Sequence, residues 1–379
     1  MDINSLYIDE LNEYVKEKGW PKFRAKQVFE WLHKKHVTSV DEMTNIPKAI
    51  RDELDQDITH VKYVTHQTDS EDGTRKFLFE MEDGQMIETV FMQYHHGNSI
   101  CISSQAGCAM GCKFCASTIG GCIRNLTASE MLGQIYMTMN KVTEEKLVED
   151  KLAGIEADSK AAYEKRRAEI EAQSRVSNIV VMGTGEPLQN YDNLIRFIKL
   201  IISEEGYNVS VRNITVSSCG IVPNIRRLAD EGLGITFALS LHAPTDELRK
   251  TIMPVANKYT IEETLDATDY YFQKTGRRIT IEYSLMNDVN DGVEQAEQLA
   301  RLLRPRNRSS VAGEHTGIYH VNLIPINPVD ERDYRPGTQS QIENFRKILE
   351  NNHINNTVRR GLGKNIDAAC GQLRRKYGI

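Results

Sequence analysis

From about residue 99 onward, short apolar runs of β type recur at NSICISSQ, NIVVMG, NITVSS, ITFALSLH, ITIEYSLM and YHVNLIPI, separated by longer segments with polar faces. The runs are nearly continuous rather than alternating. That pattern predicts strands buried on both faces, paired in parallel and covered by the intervening helices. Six such strand-plus-helix units predict an α/β fold, either an open sheet or an incomplete barrel. Folds of this class collect ligands at the C-terminal ends of their strands, where helix N-termini converge.

The first 90 or so residues are patterned differently. In FRAKQVFEWLHKKH the apolar positions Phe23, Val28, Phe29, Trp31 and Leu32 fall at helical intervals, and IPKAIRDEL continues in the same vein. TRKFLFEMEDGQMIETVFMQY then alternates and turns at Asp83-Gly84, which predicts a β-hairpin. We therefore expect an accessory unit over residues 1–90, helical and ending in a hairpin, followed by an α/β unit over 91–379. Two stretches interrupt the second unit. Residues 142–175 are dense in Glu, Lys and Ala and predict a solvated helical hairpin. Residues 304–316, with three arginines, predict a flexible loop.

Composition narrows the setting. The chain has 379 residues, enough for a sizeable core, and a formal net charge of -6, which argues against a uniformly basic nucleic-acid binder. No stretch approaches the roughly 20 apolar residues of a membrane span, and the acidic, amphipathic start lacks a signal-peptide core. A soluble, cytoplasmic protein is expected, and nothing demands more than a monomer. A local basic face remains, because Arg359, Arg360, Lys364, Arg374, Arg375 and Lys376 cluster near the C-terminus with Cys370 among them. A thiol flanked by small residues in IDAACGQL and surrounded by cations suits a reactive cysteine.

Seven cysteines, an odd number with three of them in GCAMGCKFC, do not form a secreted disulfide framework. Cys108, Cys112 and Cys115 have the spacing C-x3-C-x2-C. Three thiolates on one tight loop can hold three irons of a cubane cluster and leave the fourth open to a small molecule. The alternative is zinc, with His95 or His96 near enough in sequence to complete the set. Other candidates stand at strand ends. Gly185 and Glu186 in GTGEP allow close backbone approach beside a carboxylate. Ser217, Ser240 and His242 bring hydroxyls and an imidazole, and Asn327 in LIPINP brings an amide.

The chain resembles the RlmN family of radical S-adenosylmethionine (SAM) adenine-C2 methyltransferases of 23S rRNA and tRNA. The resemblance runs from FRAKQVFEWLH through MIETV, CISSQAGCAMGCKFC, RNLT, GTGEP, SLHAP, IEYSLMNDVND and NLIPINP to IDAACGQL. It implies a partial (βα)6 barrel with an N-terminal accessory domain that contacts RNA. It implies a [4Fe-4S] cluster on Cys108, Cys112 and Cys115, and SAM contacts from Gly185, Glu186, Ser217, Ser240, Leu241, His242 and Asn327. It further implies that Cys370 carries the methyl group, Cys101 is its redox partner and Glu88 accepts the ring proton.

The implied chemistry uses two SAM molecules per turnover and an external electron donor of flavodoxin or ferredoxin type. Carbon 2 of adenine is not nucleophilic, so the resemblance implies a radical route in place of simple displacement: a 5′-deoxyadenosyl radical takes hydrogen from the methyl group on Cys370, and the methylene radical that results adds to the ring. The base must leave its stack, which favours a loop adenosine. A Cfr-like enzyme acting at carbon 8 is the nearest rival, and Ala106 and Pro187 favour carbon 2. A non-catalytic RNA-binding protein with a cluster or zinc is the distant one, and it has no use for a separate Cys101, Cys370 and Glu88. Cys122 and Cys219 depart from the family pattern and receive no role, and the 142–175 segment is longer than the family leads one to expect.

Overall fold

The computed structural model describes residues 2–95, 97–155, 159–307, 317–368 and 372. Cys370, His96, Arg374, Arg375, Lys376 and most of the 304–316 segment lie outside the described residues.

Three helices open the chain: α1 (Ile8–Glu17), α2 (Phe23–His33) and α3 (Lys48–Leu54). The helical spacing of α2 buries Val28, Phe29 and Leu32, while Phe23, at the first helical position, stays 58% exposed. Three antiparallel strands follow, β1 (Lys62–Thr68), β2 (Arg75–Glu80) and β3 (Met86–Tyr94). The predicted hairpin is β2–β3, with Glu80 opposite Met86 and Gly84 at φ 78 in the turn. β1 was not apparent from the pattern, because KYVTHQT exposes most of its side chains.

The hairpin does not end at the α/β unit. β3 pairs antiparallel with β4 (Gly97–Ile102), and β4 pairs in parallel with β7 (Val176–Val181). From there β8 (Ile214–Ser218), β9 (Thr236–Ser240), β10 (Ile279–Leu285), β11 (Tyr319–Pro325) and the short β12 (Asn356–Val358) continue the parallel array. The result is one ten-stranded mixed sheet in the order β1-β2-β3-β4-β7-β8-β9-β10-β11-β12. Its six principal parallel strands are the six runs noted in the sequence, and they form the partial barrel of an α/β fold.

Helices α4 (Ala128–Leu152), α5 (Lys160–Ser174), α6 (Tyr191–Ile201), α7 (Val222–Asp230), α8 (Asp246–Ile252), α9 (Ile261–Thr275), α10 (Val293–Leu303) and α11 (Gln339–Asn351) connect the strands. Their starts are chemically specified: Thr127 with Glu130, Thr260 with Glu263 and Thr338 with Gln341 form capping boxes, each cap contributing about 1 kcal/mol. The charged 142–175 segment is a helical hairpin, as its composition predicts. It begins earlier, since α4 starts at Ala128 and buries its face as far as Thr143 before running into solvent. α5 buries only Ile170 and Ser174 and is tied back by Arg166 to Asp150 at 2.6 Å. The N-terminal helices dock on the barrel through Arg196 of α6, which donates to Ser5 O at 2.9 Å and pairs with Glu10.

A separate two-stranded ribbon, β5 (Gln105–Gly107) and β6 (Cys122–Asn125), closes the ends of the cysteine loop. Gly107 has φ 84, and a Cβ there would meet Gly121 O at 2.0 Å, so the ribbon closes only around a residue without a side chain.

Candidate active site

The cysteine loop is held by its own backbone. Cys108 N donates to Gly121 O at 3.0 Å and Cys115 N to Cys112 O at 3.2 Å. The Thr118 hydroxyl bridges the Cys112 and Cys115 carbonyls at 3.1 and 2.9 Å, and Lys113 N reaches Ile252 O, the end of α8, at 2.9 Å. Cys108 and Cys112 are buried, and Cys115 is half-buried.

All three cysteines line one cavity of about 160 Å³ at the C-terminal ends of the parallel strands. Gly185 and Glu186 after β7, Ser217 of β8, and Ser240 of β9 with the following His242 line the same cavity, as does Asn327 after β11. The strand-end residues picked from the sequence therefore converge. Leu241 does not line the cavity: its side chain is fully buried in the core, its N–H donates to Glu282 O and its carbonyl accepts from Arg249.

Each wall residue is fixed. Glu186 is buried, and its carboxylate accepts from Leu188 N at 3.0 Å and Cys219 N at 2.8 Å. Burial raises its pKa against those hydrogen bonds. Ser217 and Ser240 share a hydroxyl contact at 3.1 Å. His242 occupies the left-handed region at φ 57, a strained conformation for a residue with a side chain. Its Nδ1 accepts from Ser284 N at 2.9 Å, and burial pulls its pKa down to about 3, so the neutral ring keeps its proton on Nε2. Phe114 of the cysteine loop packs edge-on against that ring at 5.0 Å.

Gly185 shows how little room the wall leaves. Its φ is 111, and a Cβ would stand 2.8 Å from both Gln105 N and Ser104 Oγ. Gly185→Ala is expected to destabilise the protein by on the order of 1–3 kcal/mol, the usual cost of such strain; a thermal melt measures it. An unchanged melting temperature would show that the turn relaxes around the methyl group.

Cys101 lies on β4 directly opposite Val90 of β3 and lines a second, wider cavity of about 710 Å³. The two cavities meet, because Met182, Ile324, Ile326, Asn327 and Arg359 line both. Glu88 is two residues from Val90 on β3, hence on the same face of the sheet as Cys101. It is 4% exposed and pairs with Lys76 Nζ at 3.2 Å. Cys370 lies outside the described residues, but Ala368 and Gln372, which flank it in sequence, both line the wider cavity.

Three residues of this region escaped the sequence reading. Arg249 of α8 is fully buried, donates to the Cys219, Ser240 and Leu241 carbonyls, and keeps Nη1 without a hydrogen-bond partner among the described residues. Glu282, inside the apolar run ITIEYSL, lines the cysteine cavity and accepts from Asn322 at 2.9 Å. A carboxylate in an otherwise apolar strand was the available signal. Lys76 gave none, since its partner is set by hairpin register.

Residues 1–59 match the ribosomal RNA large subunit methyltransferase N-terminal domain, and residues 102–303 match the radical SAM superfamily. A probable dual-specificity RNA methyltransferase RlmN of Lachnoclostridium phytofermentans is 49% identical, with 100% of this chain and 95% of that protein covered. Its counterpart in Lachnospira eligens is 50% identical over 99% of this chain and 96% of that protein. The chain belongs to the RlmN family. The crystal structure of a radical SAM methyltransferase from Sphaerobacter thermophilus superimposes with a TM-score of 0.85 at 40% identity, covering 99% of this chain and 100% of that one. The chain is thus a radical SAM RNA methyltransferase by family, and the superfamily brings an iron–sulfur cluster and SAM.

The cysteine loop fits such a cluster. Its three cysteines, spaced C-x3-C-x2-C, line one cavity at the strand ends and supply the soft thiolate set that iron–sulfur clusters take. Burial pushes the Cys108 thiol up to about 12 and Cys112 well above its ordinary range, with the neighbouring thiols adding to the effect. Thiolates so disfavoured need a bound cationic partner, and cluster assembly would release their protons. Among the described residues no helix is long and apolar enough to cross a membrane.

Proposed function

We propose that this chain methylates carbon 2 of an adenosine in the peptidyl-transferase centre of 23S rRNA, and of the adenosine next to the anticodon in tRNA. Cys370 carries the methyl group, and each turnover uses two SAM. The observation that carries this reading is the junction of the two cavities, with the three-thiol loop in one, Cys101 in the other, and the residues flanking Cys370 on the wall of the second. Cys108, Cys112 and Cys115 would hold the [4Fe-4S] cluster, and the wall from Gly185 to Asn327 would hold SAM.

When bound, the cluster and SAM supply a carbon radical able to take hydrogen from the methyl group on Cys370. The Cys370 methylene then bonds to carbon 2, tethering RNA to protein. Glu88 accepts the proton that leaves that carbon, and the radical adduct gives up one electron, for which the oxidised cluster would be the acceptor. The Cys101 thiolate attacks Cys370 Sγ, forming a disulfide and expelling the product, whose methyl carbon takes up a proton. An external electron donor starts the cycle and a reductant reopens the disulfide. Residues 1–90 are the accessory, RNA-contacting domain; the exposed Lys22 and Lys26 near the exposed Phe23 at the start of α2, and the exposed Lys34 and Lys35 at its end, support that role. The protein is proposed to work as a monomer in the cytoplasm.

The test is nucleoside mass spectrometry of 23S rRNA and tRNA after incubation with anaerobically reconstituted protein, SAM and reductant. Appearance of 2-methyladenosine supports the reading and identifies the RNA. Appearance of 8-methyladenosine assigns the Cfr-like regiochemistry, and no methyl transfer despite an intact cluster overturns the reading.

Glu88→Gln is expected to lower turnover about 100-fold or more, the usual contribution of a positioned base. Covalent RNA–protein adduct should accumulate. The change also leaves Lys76 buried without its anion, so a thermal melt must accompany the assay. A folded variant with normal product formation would remove Glu88 from the chemistry.

A further inference from the structure

After β12, at one edge of the sheet, residues 359–368 form a strap that reaches the β1–β2 turn near the other edge and ends with Ala368 packed beside Cys101. The strap holds one 3-10 turn, Lys364–Ile366, and no strand. Its backbone is held instead by the β1–β2 turn, Asp69 to Thr74. Asp72 Oδ2 accepts from Gly363 N at 2.9 Å, and Asp69 Oδ2 accepts from Asn365 N at 3.1 Å. Asp69 Oδ1 also takes the Asn365 side-chain amide at 3.3 Å, and Lys76 Nζ, from the start of β2, donates to Asp367 O at 3.4 Å.

The carboxylates are themselves pre-set. Asp69 Oδ1 accepts from Glu71 N at 2.8 Å and Asp72 Oδ1 from Thr74 N at 2.8 Å, so the turn presents its remaining oxygens outward as a preformed pair of acceptors. On the strap side, Gly363 has φ 63, and Ala368 N closes back on Gly363 O at 3.0 Å. A Cβ on Gly363 would meet Ala368 Cβ at 2.6 Å and Thr74 Cγ2 at 3.0 Å. Ala368 then packs with Val90, Met92 and Cys101. Beyond Cys370, Gln372 donates to Pro328 O at 3.0 Å, next to Asn327 of the SAM wall.

We propose that the β1–β2 turn is a clamp for the segment that bears Cys370, with Asp69 and Asp72 as positioning residues that set the reach of that thiol to both the SAM cavity and Cys101. The turn lies between the two matched segments, 1–59 and 102–303, in a part of the chain to which neither match extends. The reasoning is one of effective concentration. A single cysteine must in turn meet the methyl donor, the radical source, the base and Cys101, so its carrier segment must be fixed at both ends and short between them. The inference rests on the proposed role of Cys370.

Hydrogen exchange of the Gly363 and Asn365 amides, together with peptide mass spectrometry of methyl-Cys370 formation, tests it on the reconstituted full chain. In Asp72→Ala, exchange at Gly363 should rise and Cys370 methylation should slow, each by at least about tenfold, as for loss of a hydrogen bond to a charged acceptor. Cluster content and RNA-independent cleavage of SAM should be unchanged, which a general loss of structure would not allow. Asp72→Asn keeps an acceptor oxygen and should recover most of the rate. Gly363→Ala should reproduce the defect from the strap's side without touching the turn. Wild-type rates of Cys370 methylation in Asp72→Ala, or unaltered Gly363 exchange, would overturn the clamp. A wild-type protein that never carries a methyl group on Cys370 would instead remove the reading beneath it, a result separable from the first because it is seen before any substitution is made.

Discussion

Cys112→Ala is expected to yield a folded protein with no stable cluster and no detectable methyl transfer. The fold should survive because Cys112 sits in a small satellite cluster with Cys219, Ala243, Ile252, Met253, Met286 and Ile326, apart from the main core. Trimming one sulfur there costs on the order of 1 kcal/mol, within the usual range for a single substitution. The chemical loss is of another order. Two thiolates cannot keep a cubane whose fourth iron must stay open. Iron and sulfide analysis after anaerobic purification, with electron paramagnetic resonance of the reduced protein, measures the cluster; the RNA assay measures turnover. Cys112→Ser, nearly isosteric but a hard oxygen ligand, should fail almost as completely. Full activity in Cys112→Ala would refute the ligand assignment, and stoichiometric zinc in place of iron in the wild type would refute the cluster.

The site was more legible than the fold around it, for a physical reason. Residues that build it lie at the C-terminal ends of strands whose apolar runs are unmistakable, so finding VVMG before TGEP or ALSL before His242 fixes both the strand and its end. What the sequence could not show is pairing across long separations. That β3 would pair with β4, making the hairpin part of the barrel sheet, depends on register rather than composition. β1 escaped because most of its side chains are solvent-facing, and β12 because three residues, Asn356–Val358, are too few to carry a periodic signal. Phe23 has helical spacing but is exposed, since it falls in the first turn of α2, ahead of the buried stripe formed by Ala25, Val28 and Phe29.

Charged residues inside the barrel follow the same logic. Arg249 reads as an ordinary helix cation in TDELRK, and only the structure shows it wholly buried and donating to carbonyls at the ends of β8 and β9. By donating to Cys219 O at 2.6 Å while Glu186 accepts from Cys219 N at 2.8 Å, it helps fix the two successive peptide groups that flank Cys219 at the cavity wall. Cys219 is therefore explained as a packed wall residue rather than a reactive thiol, and burial pushes its pKa well above the ordinary range. Cys101, equally buried, lines the wider cavity instead.

Cys101→Ala should convert a turning-over enzyme into one that captures its substrate. Cys101 lies against Val90, Met92 and Ala368 and is 8% exposed, so the alanine variant loses little packing and should load its cluster normally. Methylation of Cys370 and attack on the base do not require Cys101 in the proposed sequence; only release does. Denatured samples should then show protein covalently bound to RNA, approaching one adduct per active molecule, while free methylated RNA falls to trace amounts. A denaturing gel with labelled RNA reads both quantities at once. Cys370→Ala should abolish the adduct in the same background, and Cys122→Ala, which alters a half-buried thiol of the β5–β6 ribbon, should leave turnover intact. A gel with only free RNA under turnover conditions, from a variant whose cluster is intact, would mean that no covalent tether forms or that another nucleophile resolves it. The pairing of Cys101 with Cys370 would then have to be abandoned even if the product remained 2-methyladenosine.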